Sequence, residues 1–231
     1  MQPDKWLGPV PAGEALIATA ERALEGRFCA VVYYLRLVTA FDDDTSREED
    51  REQIHRTRVW SRRSTATLRV FSPVFEAGTG KEWRLVLKRT RRATGRVRDL
   101  DVLIDRLLMP SADPHEGLSR WLRSQRIKAR EELRQAWRSN NPEPILTRLL
   151  GDLPAHLKST APAEPFSLWA RTRLRTIYDR FRQSWPRLDD GAEAHHRFRV
   201  RGKYLRYALE LLAAPFAEDL LAAVYAEIEK V

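Results

Sequence analysis

The chain has little of what marks a secreted or membrane-spanning protein. It holds one cysteine, Cys29, among 231 residues, which excludes an internal disulfide. No apolar run approaches the roughly 20 residues that span a bilayer. The N-terminal segment MQPDKWLGPVPAGE lacks the basic start and apolar centre of a signal peptide. We therefore expect a soluble, cytoplasmic protein. Cys29 stands near Phe28, Val31 and Val32, and we predict that it is a small core residue.

The sequence also lacks the usual motifs of enzyme active sites. It holds no Gly-rich phosphate loop, no Cys/His zinc spacing, no G-x-S-x-G and no His-Asp dipeptide. The segment Arg98-Asp99-Leu100-Asp101 resembles a metal-binding D-x-D, but a single such pair is weak evidence. Asp99 is better explained as an ion-pair partner of Arg98 or another cation. We therefore predict no catalytic activity, no bound metal and no other cofactor.

Long segments rich in Ala, Leu, Arg and Glu predict an all-α fold, and no segment alternates with the period of a strand. The capping box Ser46-x-x-Glu49 marks one helix start. The predicted helices cover residues 12–40, 46–73, 81–108, 114–138, 144–157, 166–185 and 190–214, with a last segment from about Phe216. This pattern favours two antiparallel helical bundles, over residues 12–139 and 140–231.

Positive charge is what the chain has in excess. It carries 41 Lys and Arg against 32 Asp and Glu, for a formal net charge of +9. A balance this basic indicates nucleic acid, another polyanion or an anionic membrane surface as a partner, and it does not choose among them.

One basic pattern occurs twice. His55-x-x-Arg58-Val59-x-x-Arg62 returns as His196-x-x-Arg199-Val200-x-x-Lys203. Steps of three and seven residues keep the polar members on one face of a helix. The first face, here called the His55 stripe, holds Arg51, His55, Arg58, Arg62 and Arg69. The second, the His196 stripe, holds His196, Arg199, Lys203, Arg206 and Tyr207.

The cations of three predicted helices stand in segments without an acidic residue: 54–75, 83–98 and 194–209. Like charges at i,i+4 destabilise a helix, so these segments favour a polyanion site over a passive solvated surface. Trp60, Phe71 and Trp83 fall in apolar sectors and are predicted core residues, which disfavours base stacking. Arg63 falls in the same apolar band and must reach out from an edge or meet a buried partner.

Three segments resemble the CHAD domain, the conserved histidine α-helical domain. They are IHRTRVWSRRSTATLRVF (54–71), LKRTRRATGRVRDLDVLIDRL (87–107) and HHRFRVRGKYLRYALELL (195–212), and the resemblance covers most of the chain from about Ala12. It implies one CHAD-like domain over 1–231, built of two pseudo-symmetric four-helix bundles around a basic groove or pore. The binding residues that it implies are His55, Arg58, Arg62, Arg63, Lys88, Arg92, Arg98, His196, Arg199, Lys203, Arg206 and Tyr207.

The resemblance also implies a function, since CHAD proteins are associated with inorganic polyphosphate and its granules. We expect non-catalytic polyphosphate binding that targets the protein to granules or regulates them, with polyphosphate-metabolising enzymes as further partners. The alternatives are nucleic-acid binding, which is less favoured, and docking of a phosphoprotein or acidic partner. No membrane association is expected. The chain ends at Val231 before a second Arg-Asp-x-Asp motif. We therefore expect a shortened second bundle, or an oligomer in which a partner chain completes it.

Overall fold

The computed structural model describes residues 3–11, 13–40, 47–76, 78, 80–107, 116–157, 164–187, 189–216 and 218–230. In these ranges the fold is all-α, as predicted, and holds no β-strand. The helices are α1 (Leu16–Thr39), α2 (Arg47–Val70), α3 (Gly80–Ala93), α4 (Gly95–Leu107), α5 (Glu116–Ser139), α6 (Pro142–Gly151), α7 (Phe166–Arg182), α8 (Ala192–Leu212) and α9 (Glu218–Glu229). Among the described helices, none is long and apolar enough to cross a membrane.

The helix predicted over residues 81–108 is two helices, separated at Thr94. In an unbroken helix the Arg91 carbonyl accepts a bond from the Gly95 N–H. Here that carbonyl faces the Arg58 guanidinium and the Thr94 hydroxyl. The Thr94 hydroxyl also donates to the Thr90 carbonyl over 2.9 Å. Back-bonding by threonine bends helices, and the following glycine offers little resistance. The single-helix prediction is therefore wrong at this point.

Other helix boundaries lie within a few residues of their predicted positions. The segment predicted as a helix over 144–157 is α6 followed by a short 3-10 turn, Leu153–His156. The Asn141 side chain caps α6 by accepting from the Glu143 N–H over 2.9 Å. The predicted cap Ser46 lies outside the described residues.

Contacts divide the chain into two compact units. Unit 1 comprises residues 1–27, 65–80 and 153–231, and unit 2 comprises residues 28–64 and 81–152. Both units combine segments that are distant in sequence. The predicted division into bundles over 12–139 and 140–231 stays a prediction.

The core of unit 2 forms around Phe28 and Trp83, whose ring centroids lie 4.3 Å apart in an edge-to-face contact. Trp60 is also buried, so the predictions for Trp60 and Trp83 are confirmed. Cys29 is exposed, and its assignment to the core was wrong. One residue step turns a helix by about 100°, which carries Cys29 away from the buried side chains of Phe28 and Ala30.

The core of unit 1 contains a group of stacked aromatic rings. Phe71 is fully buried, as predicted, and stacks on Trp169 with centroids 5.4 Å apart. Phe166 lies beside both rings. Because Phe71 follows α2 directly, this packing fixes the end of α2 against the start of α7.

A buried ion network joins α2, α4 and α5 inside unit 2. Arg126 of α5 binds Asp50 over 2.7 Å and Asp101 over 2.6 Å. Arg130 binds Asp50 over 2.8 Å and the Val38 carbonyl over 2.7 Å. All four charged residues are buried. This network holds in place the helices that present the cations described next.

Candidate polyanion-binding site

The His55 stripe and α3 are joined by two arginines that each donate to the other's helix. Arg58 of α2 donates to the Arg91 carbonyl, and Arg91 donates to the Ser61 carbonyl of α2 over 3.0 Å. Both arginine side chains are partly buried. Arg58 therefore helps to hold α3 against α2, in addition to its predicted role as a binding residue.

Repulsion among cations is the main electrostatic feature of this region. Burial lowers the pKa of His55, and the charge of Arg98 lowers it further. Burial also lowers the pKa of Arg58, with Arg62 and Arg98 adding to the shift and Asp99 opposing it. His55 is consequently neutral at pH 7, whereas the guanidinium groups stay charged.

Arg91 belongs to the same group of mutually repelling cations. Burial lowers the pKa of Arg91, and the charges of Arg62 and Arg58 lower it further. We call His55, Arg58, Arg62, Arg91 and Arg98 the His55 cluster. A bound anion would relieve the repulsion in this cluster, because the pKa shifts of His55, Arg58 and Arg91 all oppose the charged form.

Three other predicted residues in unit 2 lie outside the His55 cluster. The Arg63 guanidinium lies 5.0 Å from the centroid of the Trp60 ring. The Trp60 ring is therefore the buried partner that we expected for Arg63, which stands in the apolar band of α2. Lys88 and Arg92 are exposed on α3.

The two aspartates of the Arg98-Asp99-x-Asp101 motif have different environments. Asp99 is exposed and stabilises the charge of Arg58, as an ion-pairing role predicts. Asp101 is fully buried and bonded to Arg126, and its nearest oxygen lies 3.7 Å from Arg51 Nε. Both carboxylates therefore act on arginines. Among the residues that the structure describes, no group of His, Cys, Asp and Glu is placed to hold a metal ion.

The His196 stripe lies on α8 in unit 1. His196, Arg199 and Lys203 are exposed along it. Arg206 is half-buried and pairs with Glu229 of α9 over 3.3 Å. Tyr207 is only 7% exposed, and the Arg206 guanidinium lies 5.1 Å from its ring centroid. The prediction that both stripes face a common groove stays a prediction.

A second group of arginines in unit 1 was not predicted as a site. Arg69 lies over the Tyr204 ring at 4.2 Å from its centroid. Arg173 and Arg180 of α7 also act on Tyr204 through their charges. Asp179 stands between Arg173 and Arg180 in the sequence, so the two arginines do not share an acid-free segment. A spacing of seven residues between Arg173 and Arg180, the spacing of His55 and Arg62, is the pattern that could have revealed them.

Comparison with known proteins assigns the family. The model of the CHAD domain matches residues 30–231, and the chain belongs to this family. The fold is similar to that of the crystal structure of the CHAD domain from the plant Ricinus communis. The TM-score is 0.75 at 21% identity, covering 100% of this chain and 78% of that one.

A second solved structure is also similar. PptA from Streptomyces chartreusis superposes with a TM-score of 0.66 at 18% identity, covering 94% of this chain and 82% of that one. No curated protein gives a significant sequence match. At these identities the structural similarities establish the fold, and the binding residues are argued from this chain alone.

Proposed function

We propose that the protein binds inorganic polyphosphate without catalysing a reaction on it. The observation that supports this most strongly is the His55 cluster, where four arginines and a histidine share one region in which Asp99 and Glu52 are opposing charges. Membership of the CHAD domain family, which is linked to polyphosphate, adds independent support.

The chemistry of polyphosphate matches these side chains. The polymer is flexible, carries about one charge per phosphate and offers only oxygen acceptors. A guanidinium group can hold two phosphate oxygens at once through its planar fork of donors. Binding along several phosphates releases counterions, so affinity should fall steeply as salt rises.

Two buried carboxylates of unit 2 have a structural role rather than a catalytic one. A general acid or base must reach the reacting group and exchange a proton with it. Asp50 and Asp101 are fully buried and held by Arg126 and Arg130, so they stabilise the fold instead. The exposed side chains of the two stripes supply charge and hydrogen-bond donors.

Targeting to polyphosphate granules, or regulation of enzymes that make or degrade the polymer, would follow from this binding in the cell. Either role needs only that the protein stays attached to long chains at physiological salt. Enzymes of polyphosphate metabolism are therefore the protein partners that we propose.

The decisive experiment is a competition assay in near-physiological salt. Long-chain polyphosphate, single-stranded RNA and duplex DNA compete for the protein at matched phosphate concentration. We expect polyphosphate to win by at least tenfold, about 1.4 kcal/mol. Equal competition by all three would show a generic cationic surface, and a preference for RNA or DNA would contradict the proposal in favour of nucleic-acid binding.

Variants locate the binding in the same assay. Arg62 and Lys203 are exposed, so replacing both with Glu should abolish polyphosphate binding and leave the helical circular dichroism intact. Arg58 is unsuitable for this purpose because it donates to the α3 backbone. Lys128→Glu combined with Arg138→Glu, two exposed changes on α5, is the control for the same change in net charge. Undiminished affinity in the folded double variant contradicts the proposal.

A further inference from the structure

We infer that Tyr204 and the arginines around it form a separate binding site for one phosphate group within unit 1. The end of α2 contributes Arg69, α7 contributes Arg173 and Arg180, and α8 contributes Tyr204. The identity of the ligand rests on the proposed function, because polyphosphate would supply the phosphate group. The site itself is defined by the contacts described next.

Arg173 is held in place by a helix end. Its Nε donates to the Val70 carbonyl over 3.1 Å, and its Nη2 donates to the Arg69 carbonyl over 2.8 Å. The last carbonyls of a helix carry partial negative charge, so they fix the guanidinium without a carboxylate. An arginine has five N–H donors, so Arg173 keeps donors for a further acceptor besides these two bonds and its hydrogen bond to Tyr204.

Arg69 and Arg180 bring two more charges to the same place. The Arg69 guanidinium lies over the face of the Tyr204 ring, 4.2 Å from its centroid. The backbone of Arg180 is anchored, since its carbonyl accepts from Arg201 over 2.9 Å. A helix-capping role explains Arg173 alone. It does not explain why the Arg69 guanidinium lies over the Tyr204 ring, or the positive charge that Arg180 adds there.

The Tyr204 hydroxyl adds a neutral donor to these charges. Burial raises the pKa of Tyr204, although Arg173, Arg69 and Arg180 each oppose the shift. The phenol is therefore protonated at neutral pH and can donate a hydrogen bond. The three charges acting most strongly on it are positive, so a phosphate oxygen is attracted to this point and a metal cation is repelled.

Tripolyphosphate is the probe for this site, because it carries three phosphate groups and is too short to follow a whole stripe. Its binding to the full chain is measured by titration calorimetry at constant salt. Arg180→Gln, Arg69→Gln and Tyr204→Phe should each weaken binding about threefold to tenfold. The matched control is Arg175→Gln. Arg175 lies on α7 like Arg180, but its side chain is 78% exposed and pairs with Asp179.

The control should change the tripolyphosphate affinity by less than about twofold. If Arg175→Gln weakens binding as much as Arg180→Gln, the effect is one of net charge and the inference fails. It also fails if no variant weakens binding, or if the wild type binds long chains but not tripolyphosphate. In those last two cases long-chain binding still supports the proposed function, whereas loss of both ligands in the wild type ends both proposals.

Discussion

Replacing Arg126 with methionine should destabilise the protein by about 3–5 kcal/mol, the usual cost of removing one partner of a buried ion pair. Arg126 has a side chain only 6% exposed and bridges two carboxylates that are fully buried. Methionine fills much of the same volume, so the destabilisation comes chiefly from the lost charge and hydrogen bonds.

The size of the effect depends on what remains bonded to each carboxylate. Asp50 keeps Arg130, whose Nε lies 2.8 Å away. Asp101 keeps the more distant contact to Arg51 Nε, at 3.7 Å, and the weaker influence of the Arg98 charge. Burial already raises the pKa of Asp101, although Arg126 opposes the shift. Without Arg126, a buried charge on Asp101 is almost uncompensated, which is why we expect the upper part of the range.

The assay is urea unfolding followed by circular dichroism at pH 7. The control is Arg96→Met, which breaks an ion pair of similar length, 2.7 Å to Glu132, between α4 and α5, the helices that the Arg126–Asp101 pair also joins. That pair is more than half exposed on both sides, so its loss should cost at most about 1 kcal/mol. A second change, Asp101→Leu, should recover part of the stability lost in Arg126→Met. If Arg126→Met is no more destabilising than Arg96→Met, the reasoning about the network is refuted.

Three further predictions concern binding. Glu229→Gln should raise polyphosphate affinity up to about fivefold by releasing Arg206, whereas the exposed Glu227→Gln should have a smaller effect in the same titration. Burial and the charge of Arg98 lower the pKa of His55 below its value in the unfolded chain. As pH falls below 6.5, His55 therefore takes up a proton more readily in the unfolded chain than in the folded protein. Without polyphosphate, the protein should therefore lose stability between pH 7 and pH 5.5. Over the same range polyphosphate should bind more tightly. Equal urea midpoints and equal affinities at the two pH values contradict this prediction. Finally, the logarithm of affinity should fall linearly with the logarithm of salt, and a slope near zero would exclude binding along several phosphates.

Much of this could be predicted from the sequence. Helical periodicity alone placed His55, Arg58 and Arg62 on one face of α2, and apolar patterning identified Trp60 and Trp83 as core. Such patterns report which side of a helix a residue occupies. Their weakness is that a residue next to buried ones can still point outwards, since one step along a helix turns it by about 100°, as the assignment of Cys29 showed.

Other features depend on contacts between distant segments, which local patterns do not contain. The break at Thr94 arises because Arg58, from another helix, bonds to the Arg91 carbonyl. The burial of Asp101 beside Arg126 likewise depends on how α4 packs against α5. The Asp99–Asp101 pair was therefore recognised as part of an ion-pairing motif, but which carboxylate is buried could not be derived from spacing.

Contacts between arginines and the C-terminal ends of other helices explain how arginines come together in this chain with so few carboxylates among them. Arg173 donates to Arg69 and Val70 of α2, Arg58 to Arg91 of α3, and Arg201 to Arg180 of α7, and each acceptor is a carbonyl in the last turn of another helix. A helix C-terminus offers roughly half a negative charge, enough to orient a guanidinium but too little to neutralise it. An aspartate partner would fix the arginine equally well and cancel its charge, as it does in the buried network. Anchoring by helix ends thus leaves net positive charge in each unit, and this charge is what a polyanion requires.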